Sequence, residues 1–144
     1  MAAFNNFNSF VEAVMEKVHN LGADTLKIML TNVAPVATNT VFANLTDIAS
    51  TDNGYTAGGQ AITVTASSQT SGTYKLVADP EVFTQSGAND IGPFRYAVLY
   101  NDTAAGKELI GWWDYGSAVT LVGGETFTVD LHPTNGVLTL APAA

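Results

Sequence analysis

One stretch of the chain repeats its apolar residues at helical spacing. Phe7, Phe10, Val11, Val14, Val18 and Leu21 recur at three- and four-residue steps and line up as a single stripe. Ser9 followed by Glu12 has the spacing of a capping box, in which a hydroxyl and a carboxylate take up free N–H groups at a helix start. Gly22 supplies the left-handed residue on which helices commonly end. These signals predict a helix over roughly 6–20.

From Asp24 onward the period becomes two. Leu26, Ile28 and Leu30 fall on one side of a strand, with Thr25, Lys27, Met29 and Thr31 on the other. Ala34-Pro35 breaks it, and Thr46-Asp47-Ile48 reads equally as a short strand or one helical turn. Further strands are predicted around Ile62–Ala66, Tyr74–Val77, Val82-Phe83, Phe94–Tyr100, Glu108–Trp113, Val119–Leu121, Phe127–Leu131 and Val137–Leu140. Turn pairs such as Ser71-Gly72, Gly123-Gly124 and Asn135-Gly136 separate them. In the strongest of these strands Phe94, Tyr96, Val98 and Tyr100 share one face. Ala97 and Leu99 on the other indicate that both faces are covered.

Helices do not alternate with these strands, which disfavours a parallel doubly wound sheet. The pattern predicts a mainly β fold: an antiparallel β-sandwich or jelly roll with one N-terminal helix, a closed barrel being the competing arrangement. No linker or repeat divides it, so residues 1–144 are read as one domain, with an arm and helix over 1–22 and a β-sandwich over 24–141.

Composition narrows the function. Five basic residues face thirteen acidic ones, a net charge of −8, which argues against partners whose phosphates need Lys and Arg, namely nucleic acid and anionic membranes. The longest uninterrupted apolar run is five residues, Tyr96–Tyr100, too short to span a bilayer. The N-terminus lacks the basic start and apolar run of a secretory signal. With no cysteine, disulfides and thiolate chemistry are excluded. Charged residues make up 12% of the chain, about half the usual share, and Thr, Asn and Ser stand in their place. Such a surface loses less side-chain entropy when another protein covers it, although strands also favour Thr for its own sake.

Catalytic and metal patterns are thin. His19 and His132 are far apart in sequence and have no metal-binding spacing, so no metal and no cofactor are expected. Asp47, Asp52, Asp90 and Asp102 sit in loops without the alternating acidic pattern of a calcium loop. Glu108, Asp114 and Asp130 flank aromatic strands and would serve a glycosidase only if two of them converged. Ser117 has no nucleophile-elbow motif around it. The reading is therefore non-enzymatic. Trp112 and Trp113 are consecutive, so on a strand they must point to opposite faces, one of them free for the helix or a partner.

Several strings resemble a group of small tailed-phage structural proteins. They are Ile28-Met29-Leu30-Thr31-Asn32, Asn53-Gly54-Tyr55-Thr56-Ala57-Gly58-Gly59, Ser68–Leu76, Gly92–Asp102, Leu109–Gly116, Gly124–Asp130 and Asn135–Leu140. The resemblance covers most of the chain from about residue 24. It implies a virion protein made in the host cytoplasm. The closest role is that of a head decoration or cement protein, a jelly roll sitting as a homo-trimer on the capsid exterior and bridging capsomers of the major capsid protein. The resemblance carries over no contact residues; from the aromatic pattern itself, the arm residues Phe4, Phe7 and Phe10 and one of Trp112 or Trp113 are the expected ones. A carbohydrate- or receptor-binding module of a phage head or tail fibre is the alternative.

Overall fold

The computed structural model describes residues 2–143. Among them it is mainly β, with ten strands, one α-helix and antiparallel pairing throughout. The elements are β1 (Phe4–Asn6), α1 (Asn8–Met15), β2 (Leu26–Thr31), β3 (Gln60–Ala61), β4 (Val64–Thr70), β5 (Thr73–Ala78), β6 (Glu81–Thr84), β7 (Ile91–Asn101), β8 (Leu109–Leu121), β9 (Thr126–Val129) and β10 (Leu138–Leu140). They form three sheets, β1-β8-β7-β2-β3, β10-β5-β4 and β6-β9, and not one closed barrel.

The period-two alternation decides how the largest sheet is buried. Leu26, Ile28 and Leu30 of β2, with Ala97 and Leu99 of β7, pack in the main core against Leu76 and Ala78 of β5, Phe83 of β6 and Val129 of β9. Met29, Val98, Tyr100 and Leu109 point the other way, into a second cluster with Phe7 and Leu45, against which Phe42 and Trp112 pack. Both faces of β7 are thus covered, as its composition predicts.

Four expectations need correcting. Phe94 joins the main core with Ala97 and Leu99, not the face of Val98 and Tyr100, because a register irregularity between Phe94 and Tyr96 shifts the alternation by one residue. The segments Glu108–Trp113 and Val119–Leu121 belong to one strand of 13 residues, which continues through Gly116 at φ 84°. Thr46–Ile48 is neither strand nor helix; the helical turn lies earlier, a 3₁₀ turn at Phe42–Asn44.

The helix is the fourth. It spans eight residues, Asn8–Met15, with Phe7 at the N-cap and no side-chain cap hydrogen bond, so the Ser9–Glu12 box is not formed. Its C-terminus comes before Gly22. Val18 N–H donates to Ala13 O (2.8 Å) and Lys17 N–H to Val14 O (3.3 Å), with Lys17 at φ 66°. That is a Schellman ending in which lysine occupies the left-handed position normally given to glycine.

The arm before α1 forms a strand as well. Phe4 pairs with Trp113 and Asn6 with Gly111 at the edge of β8. Gly111 is what admits it, since a Cβ there would overlap the Phe4 ring.

Candidate functional site

The aromatic residues that flank α1 fix where the helix lies. Phe7 is 1% exposed and stacks on Trp112 with ring centroids 4.5 Å apart. Its N–H donates to Ile110 O (3.2 Å), and Asn8 N–H donates to Ala37 O (2.9 Å). Phe10 and Leu21 reach the main core, while Val14 packs against it. The rest of the apolar stripe is more open, Val11 being 58% exposed and Val18 37%, and Met15 beside it is 76% exposed. Leu140 of the edge strand β10 is 52% exposed. An open apolar cavity of about 120 Å³ joins α1 to this strand, lined by Phe10, Val14, Leu21, Tyr74 and Leu138 among others. Met15, Val18 and Leu140 also line an adjoining open groove, so these residues make an apolar ledge along α1 and β10.

Behind the ledge lies a buried polar cluster. Asn101 Nδ2 donates to Asp24 Oδ2 (2.6 Å) and lies 3.1 Å from His19 Nδ1. Since that nitrogen of Asn101 is a donor, His19 Nδ1 is the acceptor and the ring proton sits on Nε2. His19 Nε2 and Glu108 Oε2 are both buried without a partner among the described residues. Burial lowers the His19 pKa below its usual value, and the charges of Glu108 and Asp24 oppose that shift without cancelling it. Asn101 Oδ1 also accepts from Thr103 and Ala104 N–H (3.0 and 3.2 Å), so this one side chain ties the segment after α1 to the β7–β8 turn.

The loop aspartates are engaged within the chain. Asp47 accepts from Tyr55 OH (2.5 Å), Gly58 N–H (2.6 Å) and Ile48 N–H (3.0 Å). Burial, with Asp47 alongside, holds the Tyr55 phenol well above its ordinary pKa, so it remains a donor. Asp102 pairs with Lys27 (2.9 Å) and Lys107, which hold its carboxyl below the usual range. Asp52 accepts from Ala88 N–H (3.2 Å), and Asp90 O accepts from Asn53 Nδ2 (3.1 Å), interlocking two loops. Among the described residues no three His, Asp or Glu side chains are grouped as metal ligands.

Of the three carboxylates weighed for acid–base work, two share a place. Asp114 and Asp130 line a cleft of about 450 Å³ with Trp113, Tyr115 and Thr128. Glu108 lies six residues before Asp114, roughly 20 Å along an extended chain at about 3.3 Å per residue. Arg95 grips Asp114 through two hydrogen bonds (2.7 and 2.9 Å), and Gly116 N–H adds a third (2.8 Å). The guanidinium holds the Asp114 carboxyl below its usual range, which suits a permanent anion and not a proton donor. Asp130 accepts from the backbone N–H of His132 (2.8 Å). Ser117 is exposed on β8.

The five expected contact aromatics pack largely within the chain. Phe7, Phe10 and Trp113 are buried in its own clusters; Phe4 and Trp112 are half-buried against Trp113 and Phe7. The two tryptophans do take opposite faces, Trp113 in the main core and Trp112 beside the second cluster. The ledge residues Val11 and Val18 carry a sequence signal, since both belong to the helical stripe. Met15 and Leu140 carry none that separates them from core residues. Against known proteins, the chain matches no protein-family model, no curated protein and no solved structure.

Proposed function

We propose that the chain is a non-enzymatic structural protein of a tailed-phage particle, a decoration protein that sits on the head and cements neighbouring capsid subunits. In this reading its sheets form a jelly-roll-like sandwich and its copies sit as trimers on the shell, assembled there by the capsid lattice. The observation that carries the reading is the ledge of Val11, Met15 and Leu140 around an open apolar cavity, extended by Val18 in the adjoining groove. Covering such a surface gains about 25 cal/mol per Å² of apolar area removed from water. The resemblance of the strand and turn strings to phage structural proteins supports it. So does a surface with few ionic groups to desolvate at each contact.

The mechanism follows from differential affinity. A clip that binds only the expanded shell stabilises that state by the full free energy of binding. Several linked copies turn weak single contacts into firm attachment through effective concentration.

Adding purified protein to undecorated heads tests this. Saturable binding and a higher rupture temperature are expected, with both weakened by Met15→Asp, a change at a 76% exposed position. A lack of saturable binding by the unmodified protein overturns the reading. The cleft of Trp113, Asp114, Tyr115 and Asp130 favours a second one, a carbohydrate-binding module. Binding on a glycan array that Asp130→Ala abolishes would select it.

A further inference from the structure

Strand β4 ends the three-stranded sheet, with β5 on one side and, among the described residues, no strand on the other. An edge strand turns every second N–H and C=O outward, ready to pair with another chain. Apart from the ladder to β5, no backbone-to-backbone hydrogen bond joins residues 64–70 to any other described part of the chain. A register shift at Thr65, between Val64 and Ala66, interrupts the strand at its start and leaves Ala66–Thr70 regular. Protected edges carry lysine, proline or inward charges. Ala66-Ser67-Ser68-Gln69-Thr70 has no charge and no proline.

Electrostatics points to the occupant. Strands β4, β5 and β10 contain one charged residue, Lys75, and no carboxylate, in a chain with thirteen acidic residues and a net charge of −8. Like charge repels two copies that approach elsewhere, but this sheet adds no carboxylate to the contact.

We propose that β4 is a self-association edge, at which two copies pair Ala66–Thr70 antiparallel about a two-fold axis through Ser68. In that register Ala66 faces Thr70 of the partner subunit and Ser67 faces Gln69 of the partner subunit, all short or neutral side chains. The contact is isologous and closes on itself. The sheet's other free edge, β10, is only three residues long, and pairing it with β4 would leave an open-ended chain of copies. A five-residue pairing is weak alone and gains strength where copies are concentrated on a surface. The inference goes beyond the decoration reading and needs no phage head for its test.

Sedimentation equilibrium of the full chain, from micromolar to millimolar concentration, should show the mass rising from 15.1 kDa toward twice that value. Ala66→Glu with Thr70→Glu places like charges opposite each other twice and should weaken association roughly tenfold or more. Ala66→Lys with Thr70→Glu places opposite charges there and should restore it. Amide exchange of the unmodified protein should slow at alternate residues of 66–70 as concentration rises, a reading that needs no variant. A mass fixed at 15.1 kDa, equal association of both double variants, or exchange independent of concentration overturns the proposal.

Discussion

The two faces of the five-stranded sheet are buried by different means. On one face, strands cover strands: Ile28, Leu30, Phe94 and Leu99 meet Leu76, Phe83 and Val129, and apolar burial does the holding. On the other face, Met29, Val98 and Tyr100 are covered by Phe7, Phe42 and Leu45, which lie outside the strands, with Trp112 of β8 packed alongside. The irregular chain that leads from β2 to β3 is pinned by polar bonds. Thr31 Oγ1 donates to Thr46 O (2.5 Å), Leu30 N–H donates to Tyr55 Oη (2.9 Å), and Tyr100 OH donates to Gly58 O (2.7 Å). Asp47 gathers three further donors. A strand-covered face tolerates the loss of a polar contact; a loop-covered face depends on it.

Truncation should therefore hurt most on the first face. Phe94→Ala removes a ring that is 0% exposed and lies edge-on to Phe127 at 4.9 Å. The expected loss is about 4 kcal/mol, read by denaturant unfolding at constant m-value. Along the chain from β2 to β3 the decisive change is polar, since Asp47 there holds the hydroxyl of Tyr55, whose ring lies in the main core. Asp47→Ala leaves the Tyr55 hydroxyl and the Gly58 N–H without their acceptor, a cost of about 3 kcal/mol. If Asp47→Ala cost no more than a few tenths, the polar bonds would not be what holds that segment, and the contrast between strand-held and loop-held cover would vanish.

Legibility in the sequence divides along the same line. The strand-covered face was readable because Leu26, Ile28 and Leu30 alternate cleanly and burial on one side enforces period two. Phe94 departs from the alternation because an irregular residue shifts that period and leaves no signature in residue type. The irregular chain from β2 to β3 was mostly unreadable: Asp47, Tyr55 and Gly58 gain meaning only when the fold brings them together. The ledge was half readable. Helical spacing grouped Val11, Val14 and Val18, yet only the three-dimensional packing separates Val14, which reaches the core, from Val11, which does not. The His19 cluster was hidden for the same reason, since Asn101 lies 82 residues away in sequence.

That cluster links the helical segment to the sheet and makes its attachment sensitive to acid. His19 is buried and its folded pKa lies below the ordinary 6.5, so the unfolded chain takes up a proton first as pH falls. Stability should decline as pH drops through about 6.5 and level off below the pKa of His19 in the fold. His19→Gln should flatten the dependence of melting temperature on pH in that window. The acidic pairs Asp102–Lys27 and Asp114–Arg95 respond in a separate range: their pKa values are depressed, so their contribution persists above the ordinary carboxylate range and is lost only under stronger acid. An unchanged slope in His19→Gln would mean that His19 does not couple protonation to folding.

The smallest expected effect has the opposite sign. Lys17 closes α1 in a left-handed conformation, φ 66°, that crowds its Cβ against the neighbouring carbonyl. It does so because the chain must turn at once for His19 and Leu21 to become buried, and the Schellman bonds at Ala13 and Val14 require that conformation. Glycine meets the same requirement without a Cβ, so Lys17→Gly should stabilise the protein by about 1 kcal/mol. Lys17 makes no ion pair with a described residue, so the change should break no contact on either face. Thermal unfolding compared between Lys17→Gly and Lys17→Ala isolates the conformational term, because both lose the charge and only glycine relieves the strain. Equal melting temperatures would show that a Cβ at this position carries no conformational cost, and that the helix end does not depend on the residue in its left-handed place.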